Sequence, residues 1–262
     1  VGHVRLSITP RQIETYGMAG CAAVVCVSEA VRSLFAGTRI EGRVHVIYNG
    51  VPLDAFTPGF APLPETAGWP AEALVVGLLG LVSERKNQLV ALEGVARAAA
   101  RGADVRIVLA GDPFKSSEAY GNQVRARIAQ PDLAGRVVWL PFQKEVVPIY
   151  RALHLNLLIS SEEGFGRTII EAGAMGIPSI GTRVGGIPEL IEDGRTGWLV
   201  PERDPDALAA TLVEAARDRA AVRARGDAAR IRVGERFTSG ATVRQLTELW
   251  SRTIAAGPPE IP

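Results

Sequence analysis

Residues 160–191, SSEEGFGRTIIEAGAMGIPSIGTRVGGIPELI, decide the fold. The apolar run 155–159 leads into two serines and two glutamates. A Gly-Phe-Gly turn at 164–166 follows, then a short helical segment carrying Glu171, a second strand at 178–181 and a Gly-Gly loop. Strand, glycine turn, helix and strand make one βαβ unit, with carboxylates at the carboxyl end of its first strand. Open α/β sheets bind ligands at that end.

The same rhythm extends outward. Short apolar strands are predicted at 74–80, 105–110, 137–140, 155–159 and 197–200. Helices are predicted between and after them at 88–101, from Ser116 or Ser117 to 129, at 145–153, at 206–217 behind an Asp204-Pro205 cap, on through 232, and at 242–255. Continuous apolar strands alternating with helices imply a parallel sheet covered on both faces. Residues 52–73 hold five prolines and no strong period, which reads as a linker. Upstream, Thr9, Pro10 and Gln12 read as a capping box opening a helix that runs to about residue 20. A strand at 22–27, a helix at 29–35 capped by Ser28 and a strand at 44–47 follow. Asn49-Gly50 is a turn signal.

Composition narrows the function classes. The chain has 262 residues, 47% hydrophobic and 22% charged, enough for one large or two modest packed domains. A net charge of +1 gives no electrostatic case for nucleic acid or a membrane surface. Only Lys86, Lys115 and Lys144 are lysines; the other basic residues are arginines, read as compositional bias unless a position supports phosphate recognition. Cys21 and Cys26 lack metal-ligand spacing and read as reduced core residues of a cytoplasmic protein. No apolar run approaches the ~18 residues of a membrane span, and no leader pattern is present. The first residue is Val, from which an upstream segment is expected to have been removed.

Glu163 and Glu171 are the chemistry-bearing pair. Glu163 sits in the loop and Glu171 about one turn into the helix. Helical side chains lean toward the N-terminus, so both carboxylates would flank one helix start, beside the amides of Gly164, Phe165 and Gly166. Such carboxylates accept hydrogen bonds from hydroxyls, each worth about 1.5–3 kcal/mol when desolvated. A ligand with vicinal hydroxyls, a sugar or a ribose, fits best. The plain alternative is two acids favouring a helix N-terminus, worth about 0.3–1 kcal/mol each; spacing alone leaves both open. Glu162 reads as a solvated charge. Asp112 ends a strand and reads as a turn residue or a ligand contact, and Arg167 and Arg183 border the region. No G-x-G-x-x-G, P-loop, nucleophile elbow or zinc spacing occurs.

The segment EGFGRTIIEA at 163–172, with GIP at 176–178 and GGIPE at 185–189, resembles the donor-binding signature of retaining glycosyltransferases of family GT4. Residues 24–28 and 46–51 resemble the last strands of that family's N-terminal domain. Residues 80–87 resemble its phosphate loop, and 108–112 its strand ending in Gly-Asp. The resemblance implies an α/β chain of the GT-B type: a Rossmann-like parallel sheet with helices on both faces, and a second Rossmann-like domain only partly present. The implied division is 1–51 as the tail of the acceptor-side domain, 52–73 as linker, 74–232 as the nucleotide-sugar-binding domain, and 233–262 as a helix returning toward the first domain.

The resemblance also implies roles. Glu171 would hold the ribose hydroxyls of a nucleoside-diphosphate sugar, and Glu163 hydroxyls of the transferred sugar. The amides of Gly164, Phe165 and Gly166 would lie near that sugar and the diphosphate, with Arg167 and Thr168 beside them. Lys86 would neutralise the diphosphate, and Pro141, Phe142 and Gln143 would border the nucleobase. No metal or further cofactor is implied. The partners are the nucleotide sugar and an acceptor that is a glycan, a lipid or a small molecule. The implied location is cytoplasmic, with a peripheral place at the inner membrane face left open. Two departures stand out. The family's arginine after the glycine at position 80 is Leu81 here, with Arg85 the candidate substitute. The acceptor domain, with its histidine, is expected to precede residue 1, since His3, His45 and His154 match no such position. His154, between leucines, reads as a core histidine. The rival readings are a nucleotide-binding module serving a separate acceptor subunit, a nucleotide-sugar epimerase, and a Rossmann-like domain that has lost binding.

Overall fold

The computed structural model describes residues 1–5 and 10–257. Two all-parallel sheets organise these residues. The smaller has the order β1 (Gly2–Val4), β2 (Val24–Cys26), β3 (Val44–Val46). The larger contains β4 (Leu74–Leu79), β5 (Val105–Ala110), β6 (Val137–Leu140), β7 (Leu155–Leu158), β8 (Ser179–Thr182) and β9 (Gly197–Val200). Its spatial order is β6-β5-β4-β7-β8-β9. The chain winds outward from β4 in one direction, then crosses back to β7 and winds out in the other. That reversal is the topological switch point of a doubly wound sheet, and a crevice opens there beyond the strand ends.

Helices α1 (Pro10–Thr15) and α2 (Glu29–Arg32) accompany the small sheet. Helices α3 (Gln88–Ala100), α4 (Glu118–Ile128), α5 (Val147–Arg151), α6 (Arg167–Ala174), α7 (Ile187–Leu190), α8 (Pro205–Arg217), α9 (Arg219–Arg236) and α10 (Ser239–Ala256) follow. All six residues of β4 are buried, because helices cover both faces. Leu74, Val76 and Leu78 pack toward one cluster with Leu92, Val95, Leu208 and Leu212. Val75 and Leu79 pack into another with Ile149, Ile169 and Ile170, and this cluster also takes in Val24, Cys26 and Phe35 of the small-sheet region. Cys26, fully enclosed there, has its thiol pushed up to about 12 by burial.

The expected strands at 105–110, 137–140 and 197–200 have those bounds. Other expectations are corrected. Strand β1 was not expected at all: three residues at a chain end carry too little pattern to read. The helix expected to run to about residue 20 ends at Thr15, and a separate 3-10 turn covers Met18–Gly20; the proposed Thr9 cap lies outside the described residues, as does the tail from 258 on. The helix expected over 145–153 shrinks to α5, and Ser117 at the start of α4 makes no side-chain cap. Asn49-Gly50 does not form a turn. Val51 bridges Thr238 in parallel, accepting from Ser239 N and donating to Phe237 O at 3.0 and 2.9 Å. A Cβ on Gly50 would lie 2.2 Å from the Thr238 carbonyl carbon, so the glycine serves a close backbone crossing.

His154 has the role its leucine flanks suggested. Its Nδ1 accepts the Val75 N–H at 3.0 Å and its ring stacks on Phe60 at 5.1 Å. Burial, then the Arg219 charge, pulls its pKa down to about 4, so it is neutral at physiological pH. On α10, Leu249 is the buried residue, packed with Ala23, Val25 and Ile47 of the small-sheet region, while Val243, Trp250 and Ile254 are exposed.

Candidate functional site

A cavity of about 510 Å³ opens at the carboxyl ends of β4, β5 and β6 and is bounded by α5 and α6. Leu79, Gly80 and Leu81 come from the end of β4, and Gly111, Asp112, Pro113 and Phe114 from the end of β5. Phe142 and Gln143 follow β6; Val146 and Ile149 come from the α5 region; Thr168 and Glu171 from α6. The wall is mostly apolar, and Phe114 and Phe142 stand 65% and 72% exposed. Leu81 occupies the place where a cation was expected, so that part of the wall offers no charge to a phosphate. Asp112 is a tie between loops: its carboxylate accepts the Phe142 N–H at 3.0 Å.

Glu171 lies in this wall. Its Oε2 accepts the Tyr150 hydroxyl at 2.9 Å, and its Oε1 faces the Arg167 guanidinium at 3.1 Å. Burial pushes its carboxyl above the usual carboxylate range, against the opposing pull of Tyr150 and Arg167. The Tyr150 phenol is driven well up by burial and by the Glu171 charge, so it stays a neutral donor. Nothing in the sequence pointed to Tyr150, which is 21 residues away and reads as an ordinary core aromatic.

Lys86 and Glu163 meet across the switch point. Lys86 comes from the loop after β4 and Glu163 from the loop after β7, and Nζ lies 2.5 Å from Oε2. The two side chains are only 13% and 11% exposed. Lys86 also stands beside the cavity wall, its Cε 4.0 Å from where a Cβ on Gly80 would be. Asn87 takes the left-handed conformation, φ 54°, and its Nδ2 donates to Ile159 O at 2.9 Å, tying the two loops together. Asparagine is among the few side chains that tolerate this backbone.

The remaining predicted residues divide. Thr168 lines the cavity, and its Oγ1 is buried with no hydrogen-bond partner among the described residues. Gly164, Phe165 and Gly166 are buried, and among the described residues their backbone N–H groups donate to no protein acceptor. Amides at a strand-to-helix turn can donate to a polar ligand, and none of these three residues is in the cavity lining. The Phe165 side chain points into the core, 6.0 Å from the Tyr48 ring and 6.2 Å from Phe237. Phe142 and Gln143 line the cavity; Pro141 does not. Arg85 does not line it either: its guanidinium donates to Glu162 O at 3.1 Å, and its own carbonyl accepts Ser161 N–H. It braces the loop, and nothing here puts it in the place of the cation missing at Leu81. Arg183 pairs with Asp193 at 2.5 Å instead of facing the cavity.

Comparison with known proteins agrees with this architecture. The family described as Glycosyl transferases group 1 matches residues 73–218. The D-inositol 3-phosphate glycosyltransferase of Mycolicibacterium gilvum (strain PYR-GCK) is 37% identical over 176 residues, covering 66% of this chain and 39% of the relative. Its namesake in Mycolicibacterium smegmatis is 32% identical over 218 residues, covering 82% of this chain and 49% of the relative. The chain thus spans less than half the length of these two curated relatives. Anabaena Alr3699/HepE, solved in complex with UDP and glucose, superposes with a TM-score of 0.85 over 95% of this chain and 70% of its own, at 24% identity. The fold is the parallel α/β arrangement of GT-B glycosyltransferases. By sequence and by fold, this chain belongs to the glycosyl transferases group 1 family.

Proposed function

We propose that the chain is the donor-binding portion of a retaining glycosyltransferase that moves a sugar from a nucleoside-diphosphate sugar to an acceptor. The observation that carries this reading is the Glu171 carboxylate in a cavity wall at the switch point, with the Lys86–Glu163 pair next to it. Glu171 would accept the ribose hydroxyls, and the nucleobase would lie toward Phe142 and Gln143. Lys86 would turn from a one-partner ion pair to bridge Glu163 and the diphosphate. Charge builds on that diphosphate as the glycosidic bond breaks, and a fixed ammonium stabilises the developing charge. Glu163 would accept hydroxyls of the transferred sugar, and the unpaired amides of residues 164–166 and the Thr168 hydroxyl would complete the polar cradle.

The acceptor is proposed to be a hydroxyl compound, in keeping with relatives named for D-inositol 3-phosphate. It would be presented by the acceptor-side domain, whose tail residues 1–51 are read to be. Calorimetric titration with UDP-, GDP- and ADP-sugars tests the donor reading and identifies the base. Binding of one nucleotide class is expected. In that class Glu163→Ala should spare the free diphosphate and weaken the sugar nucleotide about 10-fold, the loss of one charged hydrogen bond. Failure of every nucleotide to bind the folded chain would overturn the reading.

A further inference from the structure

The loop that carries Glu163 is held from behind by residues outside the cavity. Ser28 is fully buried, and its one hydroxyl does two things. It accepts the Val31 N–H at 3.1 Å, capping α2, and donates to the Gly164 carbonyl at 2.6 Å. Glu189, on α7, reaches back to the same helix. Its two carboxylate oxygens accept the N–H groups of Glu29 and Ala30 at 2.9 Å each, and the Tyr48 hydroxyl donates to it at 2.9 Å. The Tyr48 ring then packs against Phe165 and Phe237. Between these contacts runs the Gly-Gly loop. Gly186 N donates to Glu163 O at 3.0 Å, and at Gly185, φ 50°, a Cβ would fall 1.8 Å from that same oxygen. Both carbonyls of the Glu163-Gly164 pair are therefore gripped by groups that do not line the cavity, while the amides of 164–166 are left without protein partners.

We propose that Ser28 and Glu189 are positioning residues: they clamp the small-sheet region onto the Gly164–Gly166 turn and so set affinity for the sugar half of the donor. A peptide unit rotates as one body, so the Ser28 hydroxyl on the Gly164 carbonyl fixes the Phe165 N–H, and the Gly186 N–H on the Glu163 carbonyl fixes the Gly164 N–H. Releasing the Gly164 carbonyl frees the Phe165 amide to turn and loosens the loop, which lets the Glu163 carboxylate drift from Lys86. The nucleoside contact at Glu171, on the rigid helix α6, is not touched by the clamp. The clamp also makes the donor loop sensitive to how α2 and the small sheet are seated. This inference rests on the reading that residues 163–166 serve the transferred sugar.

Two readouts on the 262-residue chain test it. The first is titration with UDP and with UDP-glucose. The second, which needs no ligand, is hydrogen exchange at the Gly186 N–H, held by the Glu163 carbonyl at 3.0 Å. Ser28→Ala and Glu189→Gln are expected to weaken UDP-glucose about 10-fold while changing UDP less than about 2-fold, one hydrogen bond's worth of loop order. Exchange at Gly186 should accelerate by a similar factor. Tyr48→Phe, which removes one hydroxyl and keeps the ring, should move both readouts the same way by less, and covers the case in which Ser28→Ala does not fold. A merely structural role would lower both affinities together; that result, or unchanged protection at Gly186, overturns the clamp. If the wild-type chain binds neither probe, the GDP and ADP pairs replace them; if no pair binds, the donor reading fails, and the exchange experiment still decides whether the clamp orders the loop.

Discussion

Lys86→Met is expected to destabilise the folded chain by about 2–3 kcal/mol and to remove most of its affinity for a nucleoside diphosphate. The Lys86–Glu163 pair spans the two loops of the switch point with 13% and 11% of its side chains exposed. Deleting one partner strands the other charge where water reaches it poorly, and breaking such pairs costs about 3–5 kcal/mol when burial is complete. The residual exposure of this pair brings the expectation below that range. Ser160 Oγ, 3.5 Å from the Glu163 carboxylate, is too distant to compensate. The double variant Lys86→Met/Glu163→Gln removes both charges and should recover most of the stability, because a neutral pair of similar size packs without a desolvation penalty. It should not recover binding. Urea unfolding of the four species of this cycle measures the coupling directly. A single variant as stable as wild type would mean that the pair is solvated and contributes nothing to the loop geometry.

Glu171→Gln should separate stability from binding in the opposite way. Burial raises the Glu171 carboxyl above the ordinary value of 4.5 despite Tyr150 and Arg167. Between the unfolded and the raised folded pKa the folded state holds more protons than the unfolded state. The protonated form therefore contributes stability that is fully present below 4.5 and is lost as pH rises through the folded value. At neutral pH the buried charge is a cost the fold carries. Glutamine keeps an acceptor for the Tyr150 hydroxyl and has no charge to bury. The variant should melt at the wild-type temperature or above it at pH 7–8, with the difference vanishing as pH falls below 4.5. Its affinity for a nucleoside diphosphate should fall about 10- to 100-fold, the worth of a charged hydrogen bond to ribose hydroxyls. A lower melting temperature at pH 7 would make Glu171 a structural ion-pair partner of Arg167 instead.

The large sheet was legible because its central strands are buried on both faces. Val105–Ala110 and Gly197–Val200 are apolar runs bounded by polar or glycine-containing loops, and no other element type fits their length. The acid pair stood out as a carboxylate, two glycines and a second carboxylate at a strand-to-helix turn, although spacing alone left a hydroxyl-binding and a helix-capping reading both open. What the sequence did not disclose lies in contacts between distant residues. Tyr150 with Glu171, Ser28 with Gly164 and Glu189 with α2 span 21 to 160 positions. Phe165 was read as a site residue by its backbone, and its ring turned out to anchor the loop to Tyr48 and Phe237. Asn49-Gly50 misled because the dipeptide signals a turn only when the chain reverses locally. Here the glycine is needed for a crossing with Thr238, 188 positions on, which no local pattern encodes.

The central claim is that one cleft holds both ends of a nucleotide sugar's diphosphate bridge, and a crystal structure of the chain with UDP bound tests it most directly. The account predicts the ribose hydroxyls within hydrogen-bond distance of the Glu171 carboxylate, and the Lys86 ammonium within the same distance of the diphosphate, with Glu163 still beside it. Nucleotide bound away from Glu171, or a diphosphate out of reach of Lys86 with the Lys86–Glu163 pair undisturbed, would contradict it.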